Sequence, residues 1–148
     1  MKVGAVTMDI KERVSIIIKK AKTDDVFELV DYFNIQTIDI DLGSSTLGMY
    51  KCIKRNKFIF LNTNLEYNQR KFVLAHELGH AILHSNLNCF FLEKKTLHLK
   101  SKFEIEANKF AVELLVNDDD LKELEGYTIE QMSAILNIPS DLLKYKFK

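Results

Sequence analysis

The segment from residue 68 to about residue 84 constrains the fold of this chain more than any other. Five apolar residues lie at helical spacing on more than one side of it: Phe72, Leu74, Leu78, Ile82 and Leu83. A surface helix has a single apolar stripe, whereas a helix that is apolar on several sides is buried. We therefore expect a central helix that packs against a sheet, with Asn68 as its N-cap.

Strands that would supply such a sheet precede this helix. Alternating apolar and acidic residues over 38–42, and two further runs over 46–53 and 57–61, predict three short strands. Their short polar connections favour a small antiparallel meander. Apolar residues at helical spacing predict two helices within residues 10–33, before the strands. Residues 85–100 give only a weak strand signal, and we interpret them as a loop or hairpin.

Helical patterns dominate the rest of the chain. Residues 101–116 predict an amphipathic helix with Ser101 as its N-cap, and shorter helices are expected near 118–120, over 128–136 and after Pro139. We find no repeat or linker, so all 148 residues are expected to form one domain. Its fold class is α+β, with N-terminal helices, a small antiparallel three-stranded sheet, a central helix and a C-terminal helical part.

Composition argues against several classes of function. Lys plus Arg and Asp plus Glu both number 21, so no net charge draws the chain to nucleic acid or anionic lipid. The apolar runs are far shorter than the roughly 20 residues that cross a bilayer, and no signal-peptide pattern is present. Cys52 and Cys89 match no disulfide framework or zinc-ligand spacing. We expect a cytoplasmic monomer that binds neither nucleic acid nor membranes.

The central helix contains the pattern H-E-x-x-H as His76, Glu77 and His80. On a helix, residues i and i+4 project from the same face, so the two histidines can share one metal ion, of which zinc is the expected choice. Glu77 is then placed to act as general base toward a water molecule. The pattern is short, so by itself it is also compatible with ordinary helix residues.

A zinc peptidase needs a third protein ligand from another element, commonly a glutamate. The helix predicted over 101–116 offers two candidates, Glu104 and Glu106. At about 100° per residue, Glu104 lies beside the small residues Ala107 and Ala111, which permit close approach to another helix, and Glu106 lies about 200° away. We therefore expect Glu104 to bind the metal and Glu106 to face solvent and pair with a lysine of its own helix. Asn108, one turn beyond Glu104, is placed to hydrogen-bond a metal-binding histidine.

The sequence HELGH, preceded by Ala75, and the pattern E-x-x-A-N-x-F-A-x-x-L-L over 104–115 together resemble the ImmA/IrrE metallopeptidases. The resemblance extends from about residue 48 to residue 116 and points to Glu104 as the third ligand. It implies a regulatory protease that cuts a helix-turn-helix transcriptional repressor of a mobile element or prophage. The expected partner is accordingly a protein substrate, and the expected cofactor is Zn²⁺.

The last segment supports a rival from a different class. Residues 128–139 have a pattern of apolar and polar residues that resembles a helix-turn-helix. On this interpretation the chain would be a DNA-binding or regulatory protein-interaction module without enzymatic activity. A recognition helix presents side chains to base edges, yet residues 140–148 offer only three lysines: Lys144, Lys146 and Lys148. This favours helices that brace the site by packing.

Four further residues carry weaker expectations. His84 lies about 12 Å along the axis from His76 in a straight helix, so we expect a residue at the helix end or beside the site, with a ligand or substrate role still open. Gly79 is expected on the metal-facing side, where a side chain would crowd the ion. Ile59 and Phe60, in the strand before the central helix, are predicted to offer a sheet edge to an extended substrate.

Overall fold

The computed structural model describes residues 9–85, 89–93 and 101–147, with the backbone alone described over 89–93. Seven α-helices and four strands lie in these ranges, which confirms the predicted α+β class. In chain order they are α1 Ile10–Ala21, α2 Val26–Tyr32, β1 Gln36–Ile40, β2 Thr46–Ile53, β3 Asn56–Asn62, α3 Tyr67–Leu83, β4 Cys89–Glu93, α4 Lys102–Leu115, α5 Asp118–Glu123, α6 Ile129–Leu136 and α7 Ser140–Leu143, followed by a 3-10 turn over Lys144–Phe147.

Helix α3 lies at the centre of the fold. Every residue from 72 to 81 is buried, because the helix packs against α4 on one side and against β2 and β3 on another. Its N-cap is Glu66 rather than the predicted Asn68: the Glu66 side chain and Gln69 form a reciprocal capping box. Neither α3 nor any other helix in the described residues is long and apolar enough to cross a membrane.

The sheet differs from the predicted three-stranded antiparallel meander. Its order is β1-β3-β2-β4, with β1 parallel to β3 and β2 antiparallel to both of its neighbours. Lys54 and Arg55 join β2 to β3 and both have positive φ values, as the tightest hairpin turns require. The tight hairpin pairs β2 with β3 along one edge, and β4 pairs with the other edge of β2. The remaining edge of β3 is the one with which β1 pairs. The segment 85–100, interpreted as a loop or hairpin, therefore contributes a strand.

The predicted substrate edge at Ile59 and Phe60 is wrong. Both residues lie in β3, which is hydrogen-bonded to β1 along one side and to β2 along the other. Ile59 is completely buried, and its backbone is paired with Thr37 on one side and Tyr50 on the other. In the described part of the sheet the end strands are β1 and β4.

Helix α4 begins after an N-cap residue, Ser101. The Ser101 side chain accepts a hydrogen bond from the Glu104 backbone N–H, as the N-cap prediction required. Ala107 and Ala111 on the same helix are fully buried against neighbouring elements. These small residues let the axes of α3 and α4 approach closely, which brings side chains of the two helices into direct contact.

Candidate metal centre

Helices α3 and α4 bring three predicted ligands together. The Nε2 atom of His76 lies 3.1 Å from Oε1 of Glu104, and the Nε2 atom of His80 lies 3.2 Å from Oε2 of the same carboxylate. One ligand atom from each residue can be chosen so that all lie within 4.8 Å of one another, and all three residues are buried. Two histidines one helical turn apart and a carboxylate from the facing helix therefore converge on one small volume.

Asn108 orients the first histidine. Its Oδ1 atom lies 2.8 Å from Nδ1 of His76, and both side chains are buried. Because an amide oxygen only accepts, Nδ1 of His76 carries the proton and its Nε2 atom presents a lone pair toward Glu104. The imidazole is thereby fixed in the tautomer that a metal ligand at Nε2 needs.

The second histidine contacts a longer chain of side chains. Nδ1 of His80 lies 2.9 Å from Nδ1 of His84, and Nε2 of His84 lies 2.9 Å from Oε1 of Glu106. The expectation that Glu106 faces solvent and pairs with a lysine is wrong, because its carboxylate bonds His84 and its side chain is 32% exposed. His84 is buried and caps the C-terminal end of α3.

The carboxylate and the imidazoles at this centre alter one another's proton affinities. Burial alone would raise the pKa of Glu104, but close contacts with His76 and His80, in the forms of these imidazoles that carry a proton on Nε2, outweigh it and lower that pKa to about 2. Burial is also the main reason that the pKa of His80 falls to about 4, although its bond to Glu104 acts in the opposite direction. Glu104 is thus anionic and His80 neutral near pH 7, the forms in which both bind cations.

Glu77 is the most unusual group at the site. It is fully buried, and neither carboxylate oxygen has a hydrogen-bond partner among the described residues. Burial, together with the negative charge of Glu104, raises the pKa of Glu77 well above its ordinary value. A buried carboxylate without partners is costly unless a cation or a bound water compensates it. Lone pairs that converge from His76, His80 and Glu104, beside this orphaned carboxylate, fit a metal ion with an associated water.

Gly79 was predicted to face the metal, but it faces Phe110 of α4 instead. A Cβ atom built on it would lie 3.1 Å from Cβ of Phe110 and 3.2 Å from two atoms of the Phe110 ring. Gly79 therefore permits the close contact between α3 and α4 that the site depends on, and a side chain there would push the helices apart.

We expect Gly79→Leu to destabilise the fold by about 1–3 kcal/mol through overpacking against Phe110, with weaker metal binding as α4 shifts. Thermal unfolding and metal titration would measure both effects. Gly79→Ala serves as the graded control, because its single methyl group needs the ring to move by only a few tenths of an ångström. Normal stability and metal affinity in Gly79→Leu would show that the contact is not tight.

Sequence reasoning missed Gly48. A Cβ atom on this β2 residue would lie 2.5 Å from Cγ1 of Val73 and 3.6 Å from Oε2 of Glu77, so the strand runs directly against the helix beside the orphaned carboxylate. An isolated glycine in a strand pattern is a known signal of close backbone approach. That signal was present in the sequence, but nothing local to it indicated which element approaches.

Residues 30–148 match the model of a peptidase family described as the IrrE N-terminal-like domain. The chain belongs to the ImmA/IrrE metallopeptidase family. Two relatives agree with this placement. Metallopeptidase ImmA of Bacillus subtilis strain 168 is 38% identical over 143 residues, covering 93% of this chain and 83% of the relative. Immunity region protein 2 of Bacillus phage phi105 is 41% identical over 139 residues, covering 93% and 88%.

A solved structure extends the likeness of this ImmA/IrrE family member to the fold. A transcriptional regulator of Mycobacterium tuberculosis superposes with a TM-score of 0.61 at 14% identity, over 93% of this chain. The match covers 46% of the regulator, so this chain spans less than half of that protein's length. At this identity the comparison shows a shared architecture alone.

Proposed function

We propose that this chain is a zinc-dependent endopeptidase in which His76, His80 and Glu104 bind the metal and Glu77 is the general base. The observation that carries the proposal is the convergence of those three donors beside a fully buried carboxylate without a partner in the described residues. Two imidazoles and one carboxylate are the donor set of catalytic zinc sites that keep one coordination position open.

Zinc in such a site lowers the pKa of water and polarises the scissile carbonyl. The chain's own groups supply proton transfer and orientation. Glu77 takes the proton of the attacking water on its carboxylate and delivers it to the leaving amine nitrogen. Its position beside the three metal-binding side chains places it to carry the proton from one step to the other. Asn108 keeps His76 oriented throughout.

Asn108→Ala should lower zinc affinity by roughly 10–100-fold, because His76 loses the acceptor that holds its proton at Nδ1. Competition with a chromophoric chelator measures this directly. Asn108→Asp is the matched control, since its carboxylate still accepts from Nδ1 and should retain most of the affinity. Equal zinc affinity in the alanine variant and the parent protein would remove Asn108 from this role.

The proposed substrate is a helix-turn-helix transcriptional repressor of a mobile element or prophage, cut at a specific peptide bond in the cytoplasm. Support comes from family membership and from the names of the relatives, one a metallopeptidase and the other an immunity region protein of a phage. The geometry of the centre supports amide hydrolysis, and the family resemblance supplies the class of protein that is cut.

Incubating the zinc-loaded protein with the repressor encoded beside it tests this function. We expect one major cleavage, prevented by a metal chelator and restored by added zinc. A repressor that stays intact with protein of full zinc content would contradict the proposed substrate. Undiminished biological activity of a Glu77→Gln variant would instead favour a regulator that acts by contact without hydrolysis.

The structure disfavours the rival DNA-binding module. The Lys146 side chain is 3% exposed and pairs with Glu113 at 2.6 Å and Asp118 at 3.4 Å, so it is not available to bases or phosphates. Leu142 and Leu143 bury α7 against the core. These contacts indicate packing helices that anchor the end of the chain to α4 and α5.

A further inference from the structure

We infer that His84 and Glu106 form a positioning chain that holds the His80 imidazole with its Nε2 lone pair directed at the metal. The inference rests on the proposed zinc site, but it assigns a task to two residues that the proposed chemistry does not otherwise use. His84 is the C-cap residue of α3. Glu106 lies on α4, where its side chain is partly exposed.

The direction of each hydrogen bond follows from the chemistry of the groups. An ionised carboxylate only accepts, so the 2.9 Å contact between Glu106 Oε1 and His84 Nε2 requires the proton on Nε2 of His84. With one proton on the ring, held at Nε2, the Nδ1 atom of His84 is an acceptor. The 2.9 Å contact between the two Nδ1 atoms is therefore a bond that Nδ1–H of His80 donates. With its proton on Nδ1, His80 turns the lone pair of Nε2 toward Glu104.

The same outcome is reached for His76 by a shorter route. Asn108 accepts directly from Nδ1–H of His76. Nδ1–H of His80 instead donates to His84, whose own proton is held at Nε2 by the Glu106 carboxylate. Both histidines are thus presented to the metal through Nε2, and both Nδ1 protons are fixed by side chains from outside the donor set. Partners of this kind orient metal-bound histidines and raise their basicity. Burial of His84 at 7% exposure shields the chain from competing water.

Zinc dissociation constants, measured by chelator competition, test the inference on the full-length protein. The variants are His84→Phe, which keeps an aromatic ring but no nitrogen, Glu106→Ala and the double variant. We expect each single change to weaken zinc binding by roughly 10–100-fold, and the double variant to lose no more than the larger single effect, because both act through one chain. Glu106→Gln retains an acceptor oxygen and should restore most of the affinity.

Glu113→Ala is the matched control. It removes another carboxylate of α4, the partner of Lys146, and should lower stability without changing zinc affinity. Glu106 is 32% exposed, so its variants are expected to fold. They still test the inference if His84→Phe does not fold. In zinc-loaded, ¹⁵N-labelled protein we also expect a scalar coupling between the two Nδ1 atoms across their hydrogen bond.

Parental zinc affinity in both single variants, or fully additive losses in the double variant, would overturn the inference. The readout also separates it from the proposed function. If the parent protein binds zinc but cleaves no repressor, the function fails while the affinity comparison still decides whether His84 and Glu106 act together. If cleavage occurs and the affinities are unchanged, the function stands and the positioning chain falls.

Discussion

A Glu104→Ala variant should lose its zinc and with it all hydrolysis. The carboxylate is within 3.1–3.2 Å of both imidazole nitrogens and is held anionic, so its removal takes one of three protein donors from a buried centre. Zinc affinity should fall by more than about 100-fold, beyond the range expected for a residue that only orients a ligand. Zinc content after dialysis and chelator competition measure the loss.

Glu113→Ala again provides the comparison on the same helix, since the Glu113 carboxylate pairs with Lys146 and not with a histidine. It should keep one equivalent of zinc and cleave its substrate at the parental rate. Full zinc occupancy of Glu104→Ala, under conditions where His76→Ala is empty, would mean that the third ligand is another residue.

Glu77→Gln should separate metal binding from catalysis. The substitution keeps the shape of the side chain but removes the group that accepts a proton, so we expect zinc content to stay near one equivalent. The rate of peptide hydrolysis should fall by about 10²–10⁴-fold, the usual contribution of general acid–base catalysis. Single-turnover cleavage of the repressor at saturating enzyme measures this without interference from product release.

Folding itself should not suffer in this variant. Glu77 is a fully buried carboxylate without a partner in the described residues, and a neutral amide is less costly to bury than a charge. Glu77→Gln is therefore expected to be at least as stable as the parent protein in its metal-free form. Cleavage at the parental rate would exclude Glu77 as the base.

Local periodicity explains why much of the metal centre could be predicted. The i, i+4 spacing of His76 and His80 fixes their shared face as soon as α3 is a helix. The helical phase of α4 similarly places Glu104 with Ala107, which is fully buried. Both arguments need only the geometry of one helix at a time, and the sequence contains that information.

Contacts between distant segments could not be predicted in the same way. The parallel pairing of β1 with β3 depends on which edges the other strands occupy. The run of consecutive apolar residues in β4 lacks the alternation that marks a half-buried strand. Glu106 points away from the small-residue stripe of α4, as its phase requires, but the end of α3 brings His84 to it. The phase was predictable and the partner was not.

Diffraction at the zinc absorption edge from crystals of the zinc-loaded protein tests the central claim most directly. We predict one strong anomalous peak at about 2.0–2.2 Å from the Nε2 atoms of His76 and His80 and from a carboxylate oxygen of Glu104. A strong peak held by other residues, or an ordered site at these three residues without a peak, would contradict the account.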